Sequence, residues 1–349
     1  MKNTMKKIIT AILALAMILS LMACGGAESA APAASVAGET TYKVGIVKYV
    51  DDASLDQIQQ AICDELDKKG AELGVTFDYQ NYLKNGQADS TTLNQIASDL
   101  IADEVDVIIP IATPAALIMQ AATEDNQIPV VFSAVSDPVG AGLVDSLEAP
   151  GSNITGTSDA LNAEALIDLI LAADPDLKTL GLLYDQSQDS SHAAIASAKA
   201  YCDSKGISYV EKTGTTNDEI SMAVDALIAS GVEAVFTPTD NSVMTAELAI
   251  YEKFIEAGVP HYGGADSFAL NGAFCGYGVN YVTLGTSTAD MVVEILVNGA
   301  APATTAVPIM SNGIATVNTD TATALGLDYS MFKDMCEELK ELVTAESFE

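Results

Sequence analysis

Residues 107–144 read VIIPIATPAALIMQAATEDNQIPVVFSAVSDPVGAGLV, and this stretch decides the fold class. Two apolar runs, Val107–Ile111 and Val130–Phe132, are each followed at once by small polar residues: Ala112-Thr113-Pro114-Ala115 and Ser133-Ala134-Val135-Ser136-Asp137-Pro138. A short apolar run bounded by turn chemistry reads as a buried strand. Thr113 suits the position before a helix and Pro114 suits its first turn, so a helix is expected to start there. Two parallel strands of this kind bring hydroxyls, backbone N–H groups and a carboxylate to one sheet edge. In open α/β sheets that edge is where ligands bind.

Upstream, residues 42–48 (YKVGIVK) read as a first strand, and 51–70 as an amphipathic helix with Leu55, Ile58, Ile62 and Leu66 on one face. A second strand follows at 75–80, and a second helix at 90–103 carries Leu93, Ile96, Ala97, Leu100 and Ile101. Strict βαβα alternation predicts a parallel sheet. The order recurs downstream: LGLLY at 180–184 echoes VGIVK at 44–48, and GISYV at 206–210 echoes GVTFD at 74–78. Likewise VEAVF at 232–236 echoes VDVII at 105–109, and VPHY at 259–262 echoes IPVV at 128–131. The expectation is an α/β protein of two doubly wound parallel-sheet lobes joined by a multi-strand hinge, with a ligand cleft between them. Residues 42–155 plus 281–303 form the expected first lobe, 156–280 plus 304–325 the second, and 326–349 a terminal helix. The chain is expected to cross between lobes near 153–159 (NITGTSD) and 276–281 (GYGVNY), where a few residues serve as hinges.

Composition narrows the function. The 349 residues carry 48 acidic and 15 basic side chains, a net charge of −33, with no arginine. Such a chain lacks the basic footprint of a nucleic-acid binder and has no attraction for anionic lipid. Residues 1–7 hold three lysines and no acid, 8–22 are apolar, and Leu21-Met22-Ala23-Cys24-Gly25-Gly26 follows. That arrangement reads as a signal peptide over 1–23. Its end resembles the lipobox of bacterial lipoproteins, in which Cys24 becomes the lipidated first residue. Residues 24–41, rich in Gly, Ala, Ser and Pro, read as a flexible tether. The remaining cysteines, 63, 202, 275 and 336, are widely spaced with no CxxC, and only His192 and His261 are present. Neither a metal site nor a disulfide is expected, and Cys63 and Cys202 fall in helical patterns as core residues. No GxSxG, P-loop or HExxH occurs and no GxGxxG follows the first strand, so neither catalysis nor a cofactor is expected.

The runs VGIVKYVDDASLD (44–56), IIPIATPAA (108–116), PVVFSAVSDPVGAGLV (129–144), ITGTSD (154–159), PTDNSV (238–243) and GYGVNYVTLG (276–285) together resemble a known family. It is the ABC-transporter substrate-binding protein family whose best-known members bind aromatic amino acids, the tryptophan-binding lipoprotein type. The likeness runs from about residue 43 to 325. It implies a type I periplasmic-binding-protein fold and delivery of a small solute to a membrane permease driven by a cytoplasmic ATPase. It also implies a monomer held outside the cytoplasm on the cell membrane by its lipid anchor.

An α-amino acid needs donors for its carboxylate. With no arginine, helix N-termini and hydroxyls remain: Thr113, Pro114 and Ala115 at one strand end, and Ser133, Ala134 and Ser136 at the other. The ammonium group needs a carboxylate, and Asp137, Asp240 and Asp266 all fall near strand ends. Asp240-Asn241 sits where Thr113 sits in the first copy, and either Asp240 or Asp266 is expected to touch ligand, while Asp137 before Pro138 suits a turn. Tyr49, Val50, Asp51, Tyr184, Phe268 and Tyr277 lie near strand ends or hinges, where an aromatic ligand would bury well. A nucleoside or sugar ligand, a surface sensory module and a secreted α/β enzyme are the alternatives left open.

Overall fold

The computed structural model describes residues 40–345, 347 and 348, so the expected signal peptide, Cys24 and most of the tether lie outside the described residues. The first lobe contains β1 (Thr40–Lys48), α1 (Ala53–Leu73), β2 (Val75–Asp78), β3 (Leu83–Asn85), α2 (Ser90–Ala102), β4 (Val107–Ile111), α3 (Thr113–Thr123), β5 (Val130–Phe132) and β6 (Ile154–Gly156). The second lobe contains α4 (Ala163–Ala173), β7 (Thr179–Tyr184), α5 (Asp189–Lys205), β8 (Ser208–Thr213), α6 (Asn217–Ala229), β9 (Ala234–Thr237), α7 (Asn241–Ala257), β10 (His261–Gly263), α8 (Asp266–Leu270) and β11 (Cys275–Gly278). Then follow α9 (Tyr281–Leu296), β12 (Ile314–Asn318), α10 (Thr319–Leu325) and β13 (Glu338–Leu342).

The first sheet runs β2-β1-β4-β5-β6, with β3 also pairing β1, and the second runs β13-β12-β11-β10-β9-β7-β8. Reading the second sheet from β8 gives the order of the first from β2. The four echoed segments therefore occupy matching positions, and β6 and β11 form a fifth pair. Pairing is parallel throughout, except that β11 and β12 run antiparallel. The central strands β4 and β5 are buried on both faces, as the unbroken apolar runs imply.

Both crossings begin on the fifth matched strands: β6 leads through Thr157 and Ser158 into the second lobe, and β11 leads back into α9. A third crossing returns past Ile309, and a bridge between Ser158 and Ile309 ties it to the first. Helix α9 packs on α1, and Gly285 permits the approach: a Cβ there would stand 2.6 Å from the Ile58 carbonyl oxygen. Behind the hinge, Thr288 Oγ1 lies 2.8 Å from both Ser133 Oγ and Thr157 Oγ1, and it donates to the Leu284 carbonyl oxygen at 3.0 Å.

The C-terminus differs from expectation. In place of a helix over 326–349 the chain makes a short 3-10 turn, Ser330–Asp334, and the strand β13. The run Glu338-Leu339-Lys340-Glu341-Leu342 has charges at helical spacing, but β12 presents an open edge and β13 pairs parallel along it. Charged side chains on that outermost strand discourage further pairing. Cys63, Cys202 and Cys275 are buried and Cys336 half-buried, all as free thiols. Among the described residues no helix is long and apolar enough to cross a membrane.

Candidate functional site

The matched sheet edges face each other across a narrow, nearly closed cavity with a free volume of about 10 Å³. The first lobe supplies Ser54 and Leu55 from α1, Ala112 and Thr113 from the end of β4, and Ala134 and Ser136 from the end of β5. The second lobe supplies Ser190 from α5, with Thr239, Asn241 and Met244 around the start of α7. The two crossings add Asp159 and Tyr281.

Ala112 leaves its strand with φ 80° and ψ 152°, and Ala134 has φ 56°. Positive φ is uncommon for residues with a Cβ, and such strain gathers at functional sites. Here it bends both strands out of the ladder at the cavity wall.

The helix starts are the most informative feature. Seven described helices, α1, α2, α4, α6, α7, α9 and α10, have a side chain that accepts from their first-turn N–H groups. Only α3, α5 and the five-residue α8 do not. All three begin at the contact between the lobes. The N–H of Ser267 in α8 instead donates to Ser54 Oγ, at 3.2 Å, across the cleft. At α3 and α5 the wall residues Thr113 and Ser190 are 2% and 4% exposed, yet neither hydroxyl has a hydrogen-bond partner. A buried hydroxyl without a partner costs about 1–3 kcal/mol. Each of these two hydroxyls stands beside the positive end of a helix, where hydrogen-bond donors and the helix dipole favour an acceptor or negative charge.

On the hinge side, Asp159 is 4% exposed and receives one hydrogen bond, from Ser136 Oγ to Oδ1 at 2.9 Å. Burial pushes its carboxyl up to about 6, against the pull of that bond. The rest of the wall carries no charged side chain, so a cation arriving there would relieve the burial cost. The apolar wall is Leu55, Met244 and the ring of Tyr281.

The expected site residues divide. Thr113, Ala134, Ser136 and Asn241 lie on the wall. Pro114 shapes the first turn of α3 and Ala115 faces the first-lobe core, so neither reaches the cavity. Ser133 is turned to Thr288. Tyr49 sits at the cleft mouth, lining an outer polar hollow of about 250 Å³ with Asp185, Gln188 and Ser242. Val50 packs against the core, and Asp51 is exposed, paired with Lys48 at 2.9 Å and accepting from Asn85 at 2.6 Å. Tyr184 donates outward to Glu211, Tyr277 is buried in the second-lobe core, and Phe268 packs edge-on to His261.

Of the three candidate carboxylates, Asp137 was expected in a turn and is found in one, while Asp240 and Asp266, either of which was expected to touch ligand, are both engaged by protein donors. Asp137 accepts from the Gly140 N–H at 2.8 Å in a turn. Asp240 caps α7 through the N–H groups of Ser242 and Val243, and its other oxygen accepts from the Asp185 N–H and Ser191 Oγ. Asp266 accepts from Ser54 and Gln57. The carboxylate on the cavity wall is Asp159, in the crossing NITGTSD. Its sequence signal was its place: a crossing segment borders the cleft whichever lobe it leaves. Ser190 and Tyr281 carry a weaker signal, a hydroxyl just after a strand end and an aromatic at the return crossing.

The chain is similar to characterised proteins over nearly its whole length. Residues 43–332 match the model of a family described as ABC transporter substrate binding protein. A tyrosine-binding protein of Clostridioides difficile strain R20291 is 29% identical over 328 residues, 93% of either chain. A solved ABC domain in complex with L-Trp from Streptococcus pneumonia is 30% identical, with a TM-score of 0.79, covering 86% of this chain and all of that one. A ligand-free, open substrate binding protein with adhesive properties from Clostridium difficile is 32% identical, covering 87% of this chain and all of that one, with a TM-score of 0.66. At nearly equal identity the fit is better to the L-Trp complex than to the ligand-free, open form.

Proposed function

We propose that this chain, which belongs to the ABC transporter substrate binding protein family, captures a free amino acid with an aromatic side chain. In this reading the carboxylate lies between the starts of α3 and α5, taking hydrogen bonds from Thr113, Ser190 and first-turn N–H groups. The ammonium group pairs with Asp159, and the side chain lies against Leu55, Met244 and Tyr281. The observation that carries the reading is the pair of uncapped helices, each with an orphaned hydroxyl on the same cavity. A carboxylate would cap both helices at once and draw the lobes together. Hydrogen bonds to a charged group contribute about 1.5–3 kcal/mol each, so this arrangement substitutes for the missing arginine. The relatives that bind tyrosine and L-Trp support the aromatic side chain.

The family is one of binding proteins, not enzymes, and it works outside the cytoplasm. We further propose that lipid on Cys24 holds the protein at the membrane and that the bound solute passes to an ABC permease. Isothermal titration with L-tryptophan, L-tyrosine and L-phenylalanine, beside nucleosides and sugars, tests the ligand. One equivalent of an aromatic amino acid should bind unchanged, and its amide, lacking the carboxylate, should not. Binding of a nucleoside or sugar in its place would overturn the assignment. Cys24→Ala should move the protein from the membrane fraction to the soluble one, and an unchanged distribution would remove the anchor.

A further inference from the structure

Asp266 opens the short helix α8 of the second lobe, yet both its oxygens are held by the first. Oδ1 accepts from Ser54 Oγ at 2.6 Å, and Oδ2 accepts from Gln57 Nε2 at 3.1 Å. Ser54 in turn accepts the Ser267 N–H at 3.2 Å, so it caps α8 from across the cleft. Three hydrogen bonds thus join the first turns of α1 to the first turn of α8, all of them between lobes. Ser54 is itself held in place, because Asp52 caps α1 through the Ser54 N–H at 2.8 Å. Ser54 lines the cavity, whereas Asp266 stands behind it and off the wall. When the lobes part, the carboxylate, the amide and the α8 N–H all lose their partners together.

We propose that Asp266 is a positioning residue for solute capture: it touches no solute, and it latches α1 of the first lobe to α8 of the second so that the closed arrangement persists. This rests on the reading of the cavity as a solute site. The chemistry suits a latch better than a solute contact. Both carboxylate oxygens accept from protein donors of the first lobe, and the group stands off the cavity wall that a solute would touch. The contact is also made of neutral donors on an acidic acceptor, with Lys340 acting on the carboxylate only at range. Hydrogen bonds of this kind exchange readily with water, as a reversible closure requires. A latch acts on the lifetime of the closed complex, so its loss should appear in the dissociation rate.

The test is a double-mutant cycle with L-tyrosine as probe. Ser54→Ala and Asp266→Ala should each speed dissociation about tenfold with association unchanged, and the double variant should be no worse than the stronger single. Asp266→Asn keeps an acceptor of the same shape and should restore most of the wild-type lifetime. The ratio of affinities for L-tyrosine and L-tryptophan should stay constant across the series. Additive losses, a changed ratio, or unchanged dissociation would overturn the latch. A wild type that binds neither amino acid refutes the solute reading instead, and the latch is then read from X-ray scattering of the ligand-free protein. Asp266→Ala should have a larger radius of gyration than wild type, and equal radii would overturn it.

Discussion

The ends of β4 and β9 occupy the same place in their sheets, and they do opposite things. After β4 comes Ala112, strained and without a capping side chain, and Thr113 faces the cavity with its hydroxyl unpaired. After β9 comes Asp240, which caps α7 and accepts four hydrogen bonds. The first strands reverse the pattern: α1 after β1 is capped by Asp52, while α5 after β7 has no side-chain cap. Each lobe therefore leaves one long helix open, but not the equivalent one. The repeat fixes where helix starts meet the cleft, and individual side chains decide which starts are kept for a ligand. Two open starts from different strands border one cavity, and in the proposed reading a single carboxylate serves both.

This contrast can be broken most sharply at the hinge, where neither lobe has an equivalent. Asp159→Asn should weaken binding of L-tyrosine by about 2–4 kcal/mol, since an ammonium group would lose its buried partner. Titration calorimetry reads this directly, and an affinity within threefold of wild type would return the ammonium partner to another carboxylate. On the closed side of the comparison, Asp240→Ala should lower the stability of the ligand-free protein by about 2–3 kcal/mol. It removes a helix cap and strands the Ser191 hydroxyl and the Asp185 N–H. Denaturant unfolding measures the loss, while the fraction still folded should bind with near wild-type affinity.

On the open side the signs reverse. Thr113→Val and Ser190→Ala should each cost about 1.5 kcal/mol in affinity, the lower end for a hydrogen bond to a charged group. The ligand-free protein should lose no stability, because each change deletes a buried hydroxyl that has no partner. A thermal melt without ligand and a titration with it separate the two effects. A destabilised ligand-free Thr113→Val would mean that its hydroxyl serves the fold.

The sequence carried the architecture because apolar runs ending in small polar residues mark buried strand ends wherever they fall. Four echoes in constant order were enough to place β1, β2, β4 and β5 against β7, β8, β9 and β10. The wall residues Thr113, Ala134, Ser136 and Asn241 were legible for the same reason. What was not legible depends on partners distant in the chain. Asp240 looks like a ligand group until Ser191 and Asp185 are brought beside it by the next strand. Asp159 looks like a loop residue until two crossings enclose it. The final strand reads as a helix because its pairing partner, β12, offers an edge that local spacing cannot reveal.

The smallest effect tests whether the strain at Ala112 belongs to the site. At φ 80° a Cβ is unfavourable by about 1–2 kcal/mol, and glycine would remove that cost. Glycine also widens the unfolded ensemble, which takes back about 0.4–1 kcal/mol. Ala112→Gly should therefore stabilise the ligand-free protein by about 0.5–1 kcal/mol, visible as a small shift in the denaturation midpoint. The counterpart strand end, at Pro238 and Thr239, has no residue of positive φ and so offers no such gain. If Ala112 serves the open helix by holding the start of α3 toward the cavity, the same change should loosen that hold and weaken L-tyrosine binding slightly. A gain in stability without any loss in affinity would show the strain to be incidental, and would leave the unpaired hydroxyls as the sole mark of the open side.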